Sequence, residues 1–323
     1  MKKYLIYTIL FAFVATISFT GCKETATENE SVAYETLTTY LKANDMDINK
    51  ILTNAAGAKF VMGAPVDGDL SGKWIMDIRS SADFTTSHIE GANNVAFGDI
   101  LTAAAGADKP VIVVCYTGQT ACYATSLLRL YGFEDTQALK WGMSGWNSTF
   151  DKWTPNCKDL TTGSNWTTDV TASGSFDAPS WTSSTTDGAA LLQERVEAAV
   201  AAGFKTASGA DVLASPDNYY INNYFSDAHY TGFGHVAGAV RVNPLLIDDC
   251  DNLDPNSAVV TYCYTGQTSA VVTAYLNVLG FDAKSLLFGI NGMTTSNSFW
   301  TAGDGVTNHW GFDSNSKDLP TVN

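Results

Sequence analysis

The chain has 323 residues, 45% of them hydrophobic and 16% charged, which supports a large buried core and excludes an intrinsically disordered chain. Lys and Arg number 18 against 33 Asp and Glu, a formal net charge of −15, and the only arginines are Arg79, Arg129, Arg195 and Arg241. A phosphate backbone is gripped by clustered Lys and Arg, so no nucleic-acid partner is expected; at roughly 100–200 residues per domain the length predicts two domains.

Lys2 and Lys3 open the chain, and a mostly apolar stretch runs from Tyr4 to Phe19. That stretch is short of the ~20 residues of a membrane-spanning helix and has the order of a secretory signal peptide, assigned to residues 1–21. Phe19-Thr20-Gly21-Cys22 resembles a bacterial lipobox. The resemblance implies cleavage before Cys22, lipid on its sulfur, and a lipoprotein anchored to a membrane of the bacterial cell envelope, periplasmic or surface-facing. Residues 22–30 are polar and read as a tether. Such a compartment permits disulfides, and Cys157 with Cys250 is one conceivable pair. The six cysteines are too widely spaced for a small disulfide scaffold, and no CxxC or His-rich zinc spacing appears; no metal or organic cofactor is implied.

The body of the chain contains itself twice. Cys-Tyr-Thr-Gly-Gln-Thr stands at 115–120 and again at 263–268, an offset of 148 residues. Apolar β-branched runs precede both copies, Val111 to Val114 and Ala258 to Tyr262, as expected of strands buried on both faces. Apolar stretches of helical spacing follow, Ala121 to Tyr131 and Ser269 to Leu279, each stopped by a glycine, Gly132 or Gly280. Upstream, His88-Ile89-Glu90-Gly91-Ala92 matches His235-Val236-Ala237-Gly238-Ala239. Alternating strands and helices predict an α/β fold with parallel sheets covered by helices. The predicted units are domain one at 31–160, a Thr/Ser/Gly-rich linker at 161–187, and domain two at 188–323.

A loop between a buried strand and a helix start is a prepared anion site, since its N–H groups converge and the helix dipole favours negative charge. A cysteine opening such a loop is expected to have its pKa lowered. Gly118 and Gly266 allow the turn, and Thr120 and Thr268 are expected to cap the helices. The loop residues Tyr116, Thr117, Gly118, Gln119 and Thr120, with Tyr264, Thr265, Gly266, Gln267 and Thr268, would cradle a thiolate or persulfide on Cys115 or Cys263.

Four features then resemble the rhodanese (sulfurtransferase) family: Asp77-Ile78-Arg79 after an apolar strand, Asp83-Phe84, the His88 turn, and the Cys115-x-x-Gly118-x-Thr120 loop. Gly142-Met143-Ser144-Gly145-Trp146 fits the family's glycine-rich turn. The resemblance spans about residues 73–146, and 219–293 in the second copy. It implies two rhodanese-like domains, each a central, mostly five-stranded parallel sheet flanked by helices. It also implies Cys115 and Cys263 as catalytic cysteines that take sulfane sulfur from a small anionic donor such as thiosulfate. The acceptor would be cyanide or a thiol. Asp77 and Arg79 would support the loop.

The copies differ. Counting back from His235 puts Tyr224 and Ser226 at the positions of Asp77 and Arg79, and a two-residue shift offers Asn222; Arg241 aligns with Asn94. Cys115 is therefore the more conventional site, and whether domain two is active or inactive stays open. Phosphoester hydrolysis fits poorly, because neither loop carries an arginine to grip phosphate. Two rival functions stay open: a sulfur-carrying, sensing or partner-binding module without turnover, and a thiol–disulfide redox protein using Cys115 and Cys122. His88 and His235 are read as orienting their turns, and Trp141, Trp146, Trp153 and Trp310 as packing the domain edges.

Overall fold

The computed structural model describes residues 26–163, 165–301, 307–311 and 316–323. The signal segment 1–21 and Cys22 lie outside them. The first unit runs α1 (Ala26–Ala43), α2 (Ile48–Leu52), β1 (Val61–Met62), β2 (Trp74–Asp77), α3 (Ser81–Thr86), β3 (Asn93–Asn94), α4 (Ile100–Ala105), β4 (Val111–Val114), α5 (Gln119–Leu130), β5 (Gln137–Leu139) and α6 (Gly142–Trp146). After β6 (Trp166–Thr167), the second unit runs α7 (Gly188–Ala202), β7 (Thr206–Ala207), α8 (Gly209–Ala214), β8 (Tyr220–Asn223), α9 (Asp227–Gly232), β9 (His235–Val236), β10 (Val259–Tyr262), α10 (Gln267–Val278) and β11 (Ala283–Leu286). α1 begins inside the segment expected as a tether.

The first sheet is parallel throughout, in the order β1-β5-β4-β2-β3. The second, β7-β11-β10-β8, is also parallel. It has four strands rather than the expected five; the outer position is held only by a parallel bridge from Asn222 to Val240. Every residue of β4 and of β10 is buried, as expected of β-branched central strands.

α5 and α10 are buried along nearly their whole length because each lies on its own sheet and against the other. Polar groups tie the pair: Ser126 Oγ donates to Val271 O at 3.2 Å and Asn277 Nδ2 to Tyr123 OH at 3.2 Å. One apolar cluster therefore runs through both units, from Leu37 and Leu41 through Leu127 to Val271 and Leu276.

Each unit also sends an arm onto the other. The segment expected as a linker is seated on the second unit: β6 pairs antiparallel with β9, setting Thr167 opposite His235, and Phe176 N donates to Asp251 O at 2.8 Å. Residues 316–323, expected to close domain two, return to the first unit. There Leu319 is buried with Leu70, Ile75 and Trp146, and Val322 bridges His88. The two arms thus both reach the repeat-related histidines. Both histidines serve their turns: His88 Nδ1 lies 2.9 Å from Phe84 O and its ring stacks on Phe84, while His235 Nδ1 lies 3.0 Å from Tyr230 O and its ring stacks on Tyr230. Trp141, Trp153 and Trp310 form one cluster with Phe288 between the units, whereas Trp146 belongs to the first unit's core. Among the described residues no helix is long and apolar enough to cross a membrane.

Candidate active site

Cys115 follows β4 directly, and Gly118, at φ 81°, turns the chain into α5. The sulfur accepts from Gly118 N at 3.2 Å and Ala121 N at 3.4 Å. The Thr117 and Thr120 amides also favour its charged form. Ala121, just beyond the repeated hexapeptide, was not among the expected loop residues, and Tyr116 contributes its ring rather than its amide. Gly118 and Gly266 occupy the N-cap positions with no side-chain cap, so Thr120 and Thr268 lie inside the first turn and do not cap. The helices start two residues earlier than capping by those threonines would need.

The amides face inward because the carbonyls are held from outside. Met143 N donates to Cys115 O at 2.8 Å, and Ser144 reaches Tyr116 O through its N at 3.0 Å and its Oγ at 2.8 Å. This approach needs glycine at 142, where a Cβ would sit 2.2 Å from Cys115 O. The second loop repeats the device: Ile290 N donates to Cys263 O at 3.0 Å and Asn291 Nδ2 to Tyr264 O at 2.7 Å. Cys263 Sγ accepts from Ser269 N at 3.3 Å and lies 3.6 Å from Ser269 Oγ.

The expected lowering of the cysteine pKa is overturned at Cys115. The residue is 7% exposed, and burial pushes its thiol above the ordinary range despite the four amides. Converging N–H groups were legible in the sequence; the water lost on burial was not. Cys122, on the first turn of α5, is buried too, and its pKa is raised well above the ordinary value by desolvation first and then by Cys115 and Cys263. Cys157 and Cys250 do not pair. Cys157 sits by the tryptophan cluster, its thiol pushed up to about 11 by burial, and Cys250 is buried beside Tyr34.

Asp77 ends β2 opposite Val114 and so stands beside the loop. It forms a buried pair with Arg79: Nη2 to Oδ2 at 2.7 Å, Nε to Oδ1 at 3.0 Å, each side chain 1% exposed. Arg79 Nη2 also donates to Ser87 O at 2.8 Å, while Nη1 is buried without a hydrogen bond. The guanidinium lies 5.2 Å from the Tyr116 ring centre and the exposed Lys152 ammonium 5.4 Å from it.

In the second unit, strand register makes Asn223 the counterpart of Asp77, since it lies opposite Tyr262 as Asp77 lies opposite Val114. Asn223 Oδ1 accepts from Phe225 N at 3.0 Å, just as Asp77 Oδ1 accepts from Arg79 N at 3.0 Å. Phe225 therefore replaces Arg79 and stacks on Tyr264 at 4.4 Å. The ungapped count fell one residue late, at Tyr224 and Ser226, and the two-residue shift to Asn222 overshot. Arg241 does not substitute for Arg79: it donates to Phe225 O at 3.3 Å and pairs with Asp227 at 2.6 Å.

A profile of the rhodanese-like domain family matches residues 65–149, within the first unit. The thiosulfate sulfurtransferase GlpE of Pseudomonas fluorescens (strain SBW25) is 37% identical over 82 residues, which cover 24% of this chain and 74% of that protein. The protein of that name from Shewanella oneidensis is 36% identical over 75 residues, 23% of this chain and 74% of its own length. A crystal structure of a thiosulfate sulfurtransferase from Pseudomonas aeruginosa aligns over 80% of this chain and 46% of its own, at 18% identity and a TM-score of 0.28, too loose an overlay to add weight.

Proposed function

The chain belongs to the rhodanese-like family, and from that premise we propose that it is a sulfurtransferase whose working sulfur is that of Cys115. The Cys115 thiolate attacks the outer sulfur of a donor such as thiosulfate; the donor S–S bond breaks and sulfite leaves with the electron pair. The outer sulfur of the resulting persulfide carries the charge. Cyanide or a thiol then removes that sulfur and returns the thiolate, a two-step nucleophilic cycle. The observation that carries the reading is the ring of inward N–H groups on the Cys115 sulfur, Gly118 at 3.2 Å and Ala121 at 3.4 Å, beside an intact Asp77–Arg79 pair.

For Cys263 the carrier reading, sulfur held without turnover, is favoured by the uncharged Asn223 and Phe225 in place of that pair. A redox pair of Cys115 and Cys122 is disfavoured by the burial of Cys122. The lipobox resemblance at Phe19–Cys22 supports a lipid-anchored location in the cell envelope.

Thiocyanate production from thiosulfate and cyanide tests the proposal. Cys115→Ser is expected to lose at least about 100-fold in rate, and Cys263→Ser to keep most of it. Since burial raises the Cys115 thiol, only a small thiolate fraction exists at pH 7. The wild-type rate should therefore climb steeply from pH 7 to 9. Unchanged turnover in Cys115→Ser would refute the assignment.

A further inference from the structure

The two loops touch through their glutamines. Gln267 opens α10 and is buried; its side chain crosses to the first unit, where Nε2 donates to Thr117 O at 3.0 Å. Gly118 leaves the space for it, since a Cβ there would lie 2.5 Å from that Nε2. A trans peptide points its C=O and N–H in opposite directions. The peptide whose oxygen Gln267 holds is the one whose nitrogen, Gly118 N, donates to the Cys115 sulfur at 3.2 Å.

Resting on the assignment of Cys115 as the working sulfur, we propose that Gln267 is a positioning residue for the first unit's site: by anchoring the Thr117 carbonyl it aims the Gly118 N–H at the Cys115 sulfur. Three successive carbonyls of the loop are held from outside. Met143 holds that of Cys115, Ser144 that of Tyr116, and Gln267 that of Thr117. The first two anchors belong to the loop's own unit and the third to the other copy. The relation runs one way. Gln119 crosses in the opposite sense but accepts from Phe288 N at 2.7 Å and donates to Thr117 Oγ1 at 3.1 Å. It does not hold the Thr265 carbonyl. The second unit thus contributes to chemistry at the first even though its own Asp/Arg pair is replaced.

The test is the pH profile of Cys115 alkylation by iodoacetamide, followed on the Cys115 peptide by mass spectrometry in the full chain. Wild type is compared with Gln267→Ala and with Gln267→Met, which keeps the side chain's length without a donor. Cys122, Tyr116, Asp83, Lys152 and the Asp77–Arg79 pair, titratable or charged groups around the loop, are the same in every variant. Losing a charge-assisted N–H contact should move the Cys115 midpoint up by about one pH unit and slow turnover at pH 7 about tenfold. Packing alone would lower thermal stability without moving the midpoint. An unchanged midpoint in a folded variant, judged by circular dichroism, overturns the proposal. Should Cys115→Ser retain turnover, the functional assignment fails, yet the alkylation profile still decides the role of Gln267.

Discussion

Removing the Arg79 guanidinium would leave the Asp77 carboxylate buried at 1% exposure without its partner, and breaking such a pair costs about 3–5 kcal/mol. The pair is not fully satisfied even when intact, since Arg79 Nη1 has no hydrogen bond. A neutral replacement that fits is therefore no worse in principle. The second unit carries that replacement: Asn223 keeps the acceptor for the residue-225 amide, and Phe225 fills the guanidinium's place over the Tyr264 ring. Asp77→Asn and Arg79→Phe alone should each destabilise by about 3 kcal/mol or more, and the two together by less than either. Urea denaturation of the four proteins gives the coupling; a value under about 0.5 kcal/mol would mean that the charges do not depend on each other.

At the scale of elements, the arm at 316–323 joins the first unit's core rather than lying on its surface. Leu319 is buried against Leu70, Ile75 and Trp146, and Trp146 Nε1 donates to Pro320 O at 2.8 Å. Leu319→Ala should cost about 2–4 kcal/mol, whereas Val170→Ala, at an exposed position of the opposite arm, should cost almost nothing. Equal, negligible losses in chemical denaturation would show that the tail merely rests there. Local elements were readable from the sequence because their signals are local: β-branched runs gave β4 and β10, Gly132 and Gly280 stopped α5 and α10, and the repeated hexapeptide marked both loops. The arms were not, because residue 322 meets residue 88 and residue 167 meets residue 235 only through the packing of whole units. The same holds for the site. The loop residues were visible, but the crossing of Gln267, the net effect of burial on Cys115 and the Asn223–Phe225 substitution depend on neighbours distant in sequence or on strand register.

For the whole molecule, the question is whether one unit can unfold while the other stays native. α5 and α10 are buried against each other, and the apolar cluster containing Leu127 and Leu276 is continuous across them. Unfolding either unit would expose that face of the survivor. It would also strip away the arm that the lost unit supplied and release the hydrogen bonds at Gln119 and Gln267. These losses fall on the same event, so the two units should melt together although each has its own sheet. Calorimetry is expected to give one transition whose van't Hoff and calorimetric enthalpies agree. Tryptophan fluorescence, to which the cluster of Trp141, Trp153 and Trp310 between the units contributes, should follow the same curve as far-ultraviolet circular dichroism. Two resolved transitions would show that the interface is weaker than its burial implies. In that case a core substitution in the second unit such as Leu276→Ala would leave the thermal midpoint of sulfurtransfer at Cys115 unmoved, whereas a single cooperative body requires that midpoint to fall with the stability of the whole.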